Sequence, residues 1–281
     1  MKFGDYRIET ISDTEFRLDG GAMFGIVPRV VWEKVCPPDE FNRIRLQTNC
    51  LLIETPTEKI LIETGIGEKW TEKQTQIYGI FRERSFAETL FEKTGCEPSD
   101  ISIVVNTHLH FDHCGGNTIF DSSGEIVPQF PNARYFVSES EFNHAQNPNE
   151  RDRASYISEN WKVLQESGQL QLKPDNYEVI EGLTMRQTRG HNAAMQTFRL
   201  ERSGAVLFGF ADIVPTRHHL PAAWVMGYDL YPTETLAHKK RLLPLAVEEN
   251  WLCLFYHDYE QPLYRVTNKE GKFSAEEFSL D

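Results

Sequence analysis

The run NTHLHFDHCGGN, residues 106–117, places three histidines and an aspartate within six consecutive positions, directly after the apolar stretch ISIVV. The β-branched residues predict a buried strand over 101–107, so the polar run begins where that strand ends. In an extended segment, side chains at i and i+2 share a face, which lets His108 and His110 converge on one metal ion. A turn through DHCGG, made sterically easy by Gly115 and Gly116, aims Asp112 and His113 at a second ion beside the first. Three imidazoles and a carboxylate packed this tightly are costly to bury without a cation to hold.

Further donors occur in matching contexts. His191 follows a predicted strand at 183–188, Asp212 one at 205–211, and His257 one at 251–256, each just past a strand's C-terminal end. In layered α/β proteins that edge is where sites gather. His144, His218, His219 and His238 lack such a context and are read as ordinary surface or core residues.

The remaining pattern predicts an α/β layered fold. NCLLIET and KILIETG (49–65), separated by PTE, read as a hairpin, and 133–138 and 197–201 are further strands. Helices are expected at 85–95, ending at Gly95, at 138–145 behind a Ser138/Glu141 capping box, and at 233–249, where Pro244 should kink or split the helix. FRERS (81–85) reads as a solvated helix face or its approach. Two long segments, 19–38 and 212–232, are rich in Gly, Pro and large apolar residues without periodicity, which suits binding loops or lids.

Composition narrows the partners. The chain has 281 residues, 40% of them hydrophobic, enough for one large core, and a formal charge of −13 disfavours a polyanion such as nucleic acid. The N-terminus lacks the apolar run of a signal peptide and no stretch reaches the length of a membrane span, so the expectation is a cytoplasmic protein without membrane contact. Five cysteines, with no C-x-x-C pair, fit reduced thiols, and Cys114 reads as structural.

THLHFDHCGG, followed by GHN near 191, FGFAD near 212, FYHD near 257 and LIETG at 61–65, resembles the metallo-β-lactamase superfamily over most of the chain. The resemblance implies an αββα sandwich, with residues 1–281 forming one such domain. It also implies two divalent cations, zinc by donor chemistry, with iron, manganese or cobalt able to take the same ligands. His108, His110 and His191 would bind the first, Asp112, His113 and His257 the second, and Asp212 would bridge both. The family usually has Asp where this chain has Glu63.

DGGAMFGIVPRVVWEK beside a complete ligand set further resembles the branch of quorum-quenching N-acyl-homoserine lactonases. The implied reaction is opening of a lactone or ester by a hydroxide shared between cations about 3.5–4 Å apart. Asp112 would shuttle the proton and Tyr228 would hydrogen-bond the developing oxyanion. Met23, Phe24, Val27, Trp32, Phe111, Trp224 and Met226 would form an apolar channel for a small-molecule substrate with an apolar portion. The same apolar segments could instead seal a homodimer. Phosphotriester or phosphodiester hydrolysis by the same two-metal clamp, and a non-catalytic scaffold stabilised by metal, are the rival readings.

Overall fold

The computed structural model describes residues 1–278. Strand Ile103–Val105 shows how the layers arise. It is flanked on both sides by parallel strands, Lys59–Ile62 and Arg134–Ser138, and all three of its residues are buried. Ile103 and Val105 face a second sheet, whereas Val104 faces helix Phe86–Thr94 through Leu90. A strand covered on both faces needs apolar residues at every position, which is why it reads as a continuous hydrophobic run.

The first sheet has seven strands in the order Lys2–Phe3, Tyr6–Asp19, Arg43–Glu54, Lys59–Ile62, Ile103–Val105, Arg134–Ser138 and Leu170–Lys173. The second, also of seven, runs Asn176–Ile180, Leu183–Gln187, Gln196–Arg202, Ala205–Gly209, Leu252–Leu254, Leu263–Lys269 and Lys272–Glu277. Ile8, Leu51, Ile53, Ile62 and Val105 from the first meet Met185, Phe198, Leu200, Leu207 and Leu254 from the second in a core between the sheets. Helices Phe86–Thr94 and Lys162–Glu166 cover the outer face of the first sheet, and Pro232–Glu248 covers the second with Leu242, Leu243 and Ala246. The result is an αββα sandwich. No helix among the described residues is long and apolar enough to cross a membrane.

The predicted hairpin forms with Glu54 opposite Lys59. Other local expectations change. Ser138 caps its helix by accepting from Glu141 N at 3.1 Å, but the Glu141 carboxylate does not return the bond and turns into the interior instead. Pro244 neither ends nor splits its helix, which runs unbroken from Pro232 to Glu248. Arg82 of FRERS is not a solvated residue, because its guanidinium reaches inward to pair with the buried Asp13 carboxylate and with Gly67 O at 2.9 Å. The 14-residue strand Tyr6–Asp19 and the C-terminal pair Leu263–Lys269 and Lys272–Glu277 carry too many polar residues to stand out as strands. All five cysteines are free thiols, and Cys114, fully buried, donates to Leu109 O at 3.3 Å.

Candidate metal centre

Strand direction decides where the donors lie. In the second sheet, Leu183–Gln187 and Ala205–Gly209 are each antiparallel to the strand between them, and Leu252–Leu254 is parallel to Ala205–Gly209, so all three end on the same rim. His191, Asp212 and His257 follow those ends and meet the loop after Ile103–Val105. That loop is extended at His110 and then winds into one helical turn, Phe111–Cys114, followed by a 3-10 turn over Gly115–Asn117. The glycines there answer to crowding. A Cβ on Gly115 would lie 2.1 Å from Ile66 O, and one on Gly116 2.2 Å from Thr64 O.

The seven predicted donors come together. One ligand atom from each of His108, His110 and His191 fits within 4.8 Å of the others, as does one from each of Asp112, His113 and His257. Asp212 lies between the trios, with Oδ2 3.3 Å from His191 Nε2 and Oδ1 3.3 Å from both His113 Nε2 and His257 Nε2. All seven residues are buried.

The partners behind the rings fix which nitrogen faces inward. His113 Nδ1 meets Glu63 Oε1 at 3.2 Å, His191 Nδ1 meets Asp229 Oδ1 at 3.1 Å, and His257 Nδ1 meets Gln47 O at 3.0 Å. His108 Nδ1 lies 3.0 Å from the Thr107 hydroxyl, whose own proton goes to Glu63. In the neutral rings each of these Nδ1 atoms therefore carries the hydrogen, and Nε2 of His113, His191 and His257 turns a lone pair toward the Asp212 carboxylate. Lone pairs facing a carboxylate repel unless positive charge lies between them. Nε2 of His108 and His113 and Oδ1 of Asp212 are buried with no hydrogen-bond partner, and His110 presents Nδ1 instead, 3.0 Å from His191 Nε2. This donor set fits divalent cations.

Glu63 could be counted as a donor with His108 and His113. It is already committed to Thr107 N at 3.1 Å, Asn106 Nδ2 at 3.3 Å, the Thr107 hydroxyl and His113. Its role is to support the rings, from a left-handed backbone conformation at φ 62°.

Burial pushes the His108 and His110 pKa values well down, with neighbouring imidazoles acting in the same direction, so both rings are neutral donors. At His113 burial also acts downward but is outweighed by Asp212 and Glu63, and its pKa rises well above the usual value, so with no cation between them a proton on Nε2 takes the place a cation would fill. Burial acts upward on Asp212 and is outweighed by His113, His257 and His191, holding that carboxyl well below the usual range.

Beside the donors opens a cleft of about 430 Å³. His110, Asp112, His191, Asp212 and His257 line its floor, and Leu18, Met23, Tyr78, Phe111, Met226 and Tyr228 supply apolar and aromatic walls. Phe24, Val27, Trp32 and Trp224 do not line it, contrary to expectation. Phe24 is fully buried, stacked on Trp32 and on His219 with ring centroids 5.3 and 4.7 Å apart and edge-on to Trp224. These residues join the two lid segments to each other, with Val27 packed against the same cluster. The sequence offered no signal for Tyr78 or for Asp229 behind His191, and it presented Glu141 only as a helix-capping residue. The buried Glu141 carboxylate accepts from Leu109 N at 2.9 Å, Tyr156 OH at 3.1 Å and Asn192 Nδ2 at 3.0 Å, joining the His108–His110 loop to the His191 turn.

Fold and rim together define a metal-dependent hydrolase. The family model of the metallo-β-lactamase superfamily matches residues 43–136. A probable metal-dependent hydrolase from Staphylococcus aureus is 31% identical, with a TM-score of 0.88 and each chain covered in full. The N-acyl homoserine lactonase of Bacillus cereus is 26% identical over 78% of this chain and 84% of its own length. AidC, a dizinc quorum-quenching lactonase solved with a product, superposes with a TM-score of 0.79 at 20% identity, covering 100% of this chain and 97% of its own. This chain belongs to the metallo-β-lactamase superfamily.

Proposed function

We propose that this protein holds two divalent cations, zinc by donor chemistry, and opens a lactone or ester, with N-acyl-homoserine lactones as the favoured substrate class. The observation that carries the reading is the pair of donor trios sharing Asp212 on the floor of a cleft with an apolar wall of Leu18, Met23, Phe111 and Met226 and a polar edge of Arg151, Asp152 and Ser155. Such a cleft suits a ligand with a polar reacting head and an apolar tail. The Bacillus relative's name points to the same chemistry.

Two cations held there would supply an ionised water near neutral pH and a Lewis acid for the carbonyl oxygen. Each remaining task falls to a side chain. Glu63, Asp229, Gln47 and Thr107 hold the imidazoles of His113, His191, His257 and His108 with Nε2 inward. Asp112 lines the cleft, so its carboxylate can take a proton from the nucleophile and return it to the leaving oxygen. The Tyr228 phenol lines the cleft, is protonated at neutral pH, and is available to donate to a developing oxyanion. Met23, Phe111 and Met226 form the apolar contact surface and exclude water from one side.

The test is zinc-loaded protein assayed side by side on N-acyl-homoserine lactones of several chain lengths and on an aryl phosphotriester. Lactone turnover abolished by His110→Ala supports the assignment. Turnover of the phosphotriester alone would replace the substrate class, and two bound zinc ions with no turnover of either would favour the scaffold reading.

A further inference from the structure

Asp229 belongs to neither donor trio, yet its side chain is fully buried beside one of them. Oδ1 receives His191 Nδ1 at 3.1 Å, and Oδ2 accepts from the Thr235 hydroxyl at 2.5 Å. Two main-chain bonds lock the same peptide to the His191 turn, Leu230 N to His191 O and Tyr231 N to Gly190 O, both 2.9 Å. Gly190 is required for that closeness, because a Cβ there would lie 2.5 Å from Thr235 Oγ1. Met226 and Tyr228, immediately before Asp229, line the cleft. One short segment thus carries substrate-facing side chains and the carboxylate that backs a donor imidazole.

The four inward-facing rings are backed unequally. His257 has a peptide carbonyl and His108 a hydroxyl, whereas His113 and His191 have carboxylates. A carboxylate raises the basicity of the distal nitrogen more than a neutral acceptor does, and so strengthens its hold on a cation. Glu63 reaches His113 directly and His108 through Thr107, touching both trios. Asp229 touches only the trio of His108, His110 and His191.

We propose that Asp229 is a positioning residue that sets the cation affinity of the His108, His110 and His191 trio separately from that of its neighbour, and ties that affinity to the cleft wall at Met226 and Tyr228. This rests on the two-cation reading above. The experiment is competition between metal-free protein and a chromophoric chelator for zinc, resolving two binding equivalents, in wild type, Asp229→Asn, Asp229→Ala and Thr235→Val, with melting temperatures of the metal-free proteins alongside.

Asn has the size of Asp and can still accept from His191, so that variant removes charge without opening a cavity. We expect one equivalent to weaken by about 10- to 100-fold in Asp229→Ala, less in Asp229→Asn and least in Thr235→Val, with the second equivalent unchanged. Both equivalents weakening together, or neither weakening while melting falls, overturns the proposal. Wild type that binds fewer than two equivalents removes the two-cation reading itself, an outcome visible before any variant is made.

Discussion

Glu141 offers the sharpest test of how the rim is held together. Its carboxylate is fully buried and accepts three hydrogen bonds, from Leu109 N between two donor histidines, from Tyr156 OH, and from Asn192 Nδ2 beside a third. Glu141→Ala strands Leu109 N and the Tyr156 hydroxyl proton and leaves Asn192 Nδ2 with only its bond to Tyr156 OH at 3.0 Å. At about 1–3 kcal/mol for each buried unsatisfied group, and allowing water to reach part of the space, the expected loss is about 3–5 kcal/mol of a total stability of about 5–15 kcal/mol. Glu141→Gln should cost less, about 1–3 kcal/mol, for a specific reason. Gln Oε1 can keep Leu109 N and Tyr156 OH, but its amide then faces the amide of Asn192. Asn192 cannot flip to relieve this, because its Oδ1 is held by Ala194 N at 2.9 Å and Met195 N at 2.6 Å. Part of that loss is returned, since burial pushes the Glu141 pKa up against its hydrogen bonds and a neutral side chain avoids the cost of a buried charge. Urea denaturation of the metal-free variants measures both values, and chelator competition measures whether the His108–His110 loop and the His191 turn still meet. If Ala lies within about 0.5 kcal/mol of wild type, or Gln is as damaging as Ala, the carboxylate does not pin the two loops and the reasoning fails.

Three further outcomes follow from the geometry. Gly115→Ala should lower stability by about 1–3 kcal/mol and weaken zinc uptake, because its Cβ meets the Ile66 peptide at 2.1 Å and one of two backbone segments must shift; an unchanged melting curve would contradict this. Phe24→Ala should cost about 3–5 kcal/mol in thermal or urea unfolding, since the ring is the shared contact of both lid segments; a loss below about 1 kcal/mol would mean that the lids do not depend on it. Burial lowers the His219 pKa to about 3, below its ordinary 6.5, so the folded state binds fewer protons than the unfolded state between those values. Its contribution is complete above pH 6.5 and is lost as pH falls toward 3, about 2 kcal/mol of it between pH 7 and 5. The stability difference between wild type and His219→Gln across that range reads the contribution directly, and equal slopes would refute it.

The chemistry of the rim was legible because its densest part is local. His108, His110, Asp112 and His113 lie in one short stretch behind an apolar strand, and each distant donor lies three or four residues past the end of a strand. Less legible were elements whose burial alternates. Tyr6–Asp19 interleaves buried and partly exposed positions, so its composition resembles that of a loop although it pairs along nearly its whole length with Arg43–Glu54. The lid residues misled for the opposite reason. Phe24, Trp32 and Trp224 are apolar and close to the site in sequence context, but apolarity does not distinguish a wall facing the cleft from one packed behind it.

By itself, the sequence determined which groups are available for coordination and that they sit at strand ends, since residue identity and local periodicity are short-range properties. Tertiary structure decided the rest. Strand order and direction brought His191, Asp212 and His257 to one rim, and long-range partners chose which imidazole nitrogen faces inward. Glu141 shows the division most plainly: its position read as a helix cap, but the low-dielectric interior turned the carboxylate toward Leu109, Tyr156 and Asn192, where unpaired donors would otherwise carry the full cost of desolvation.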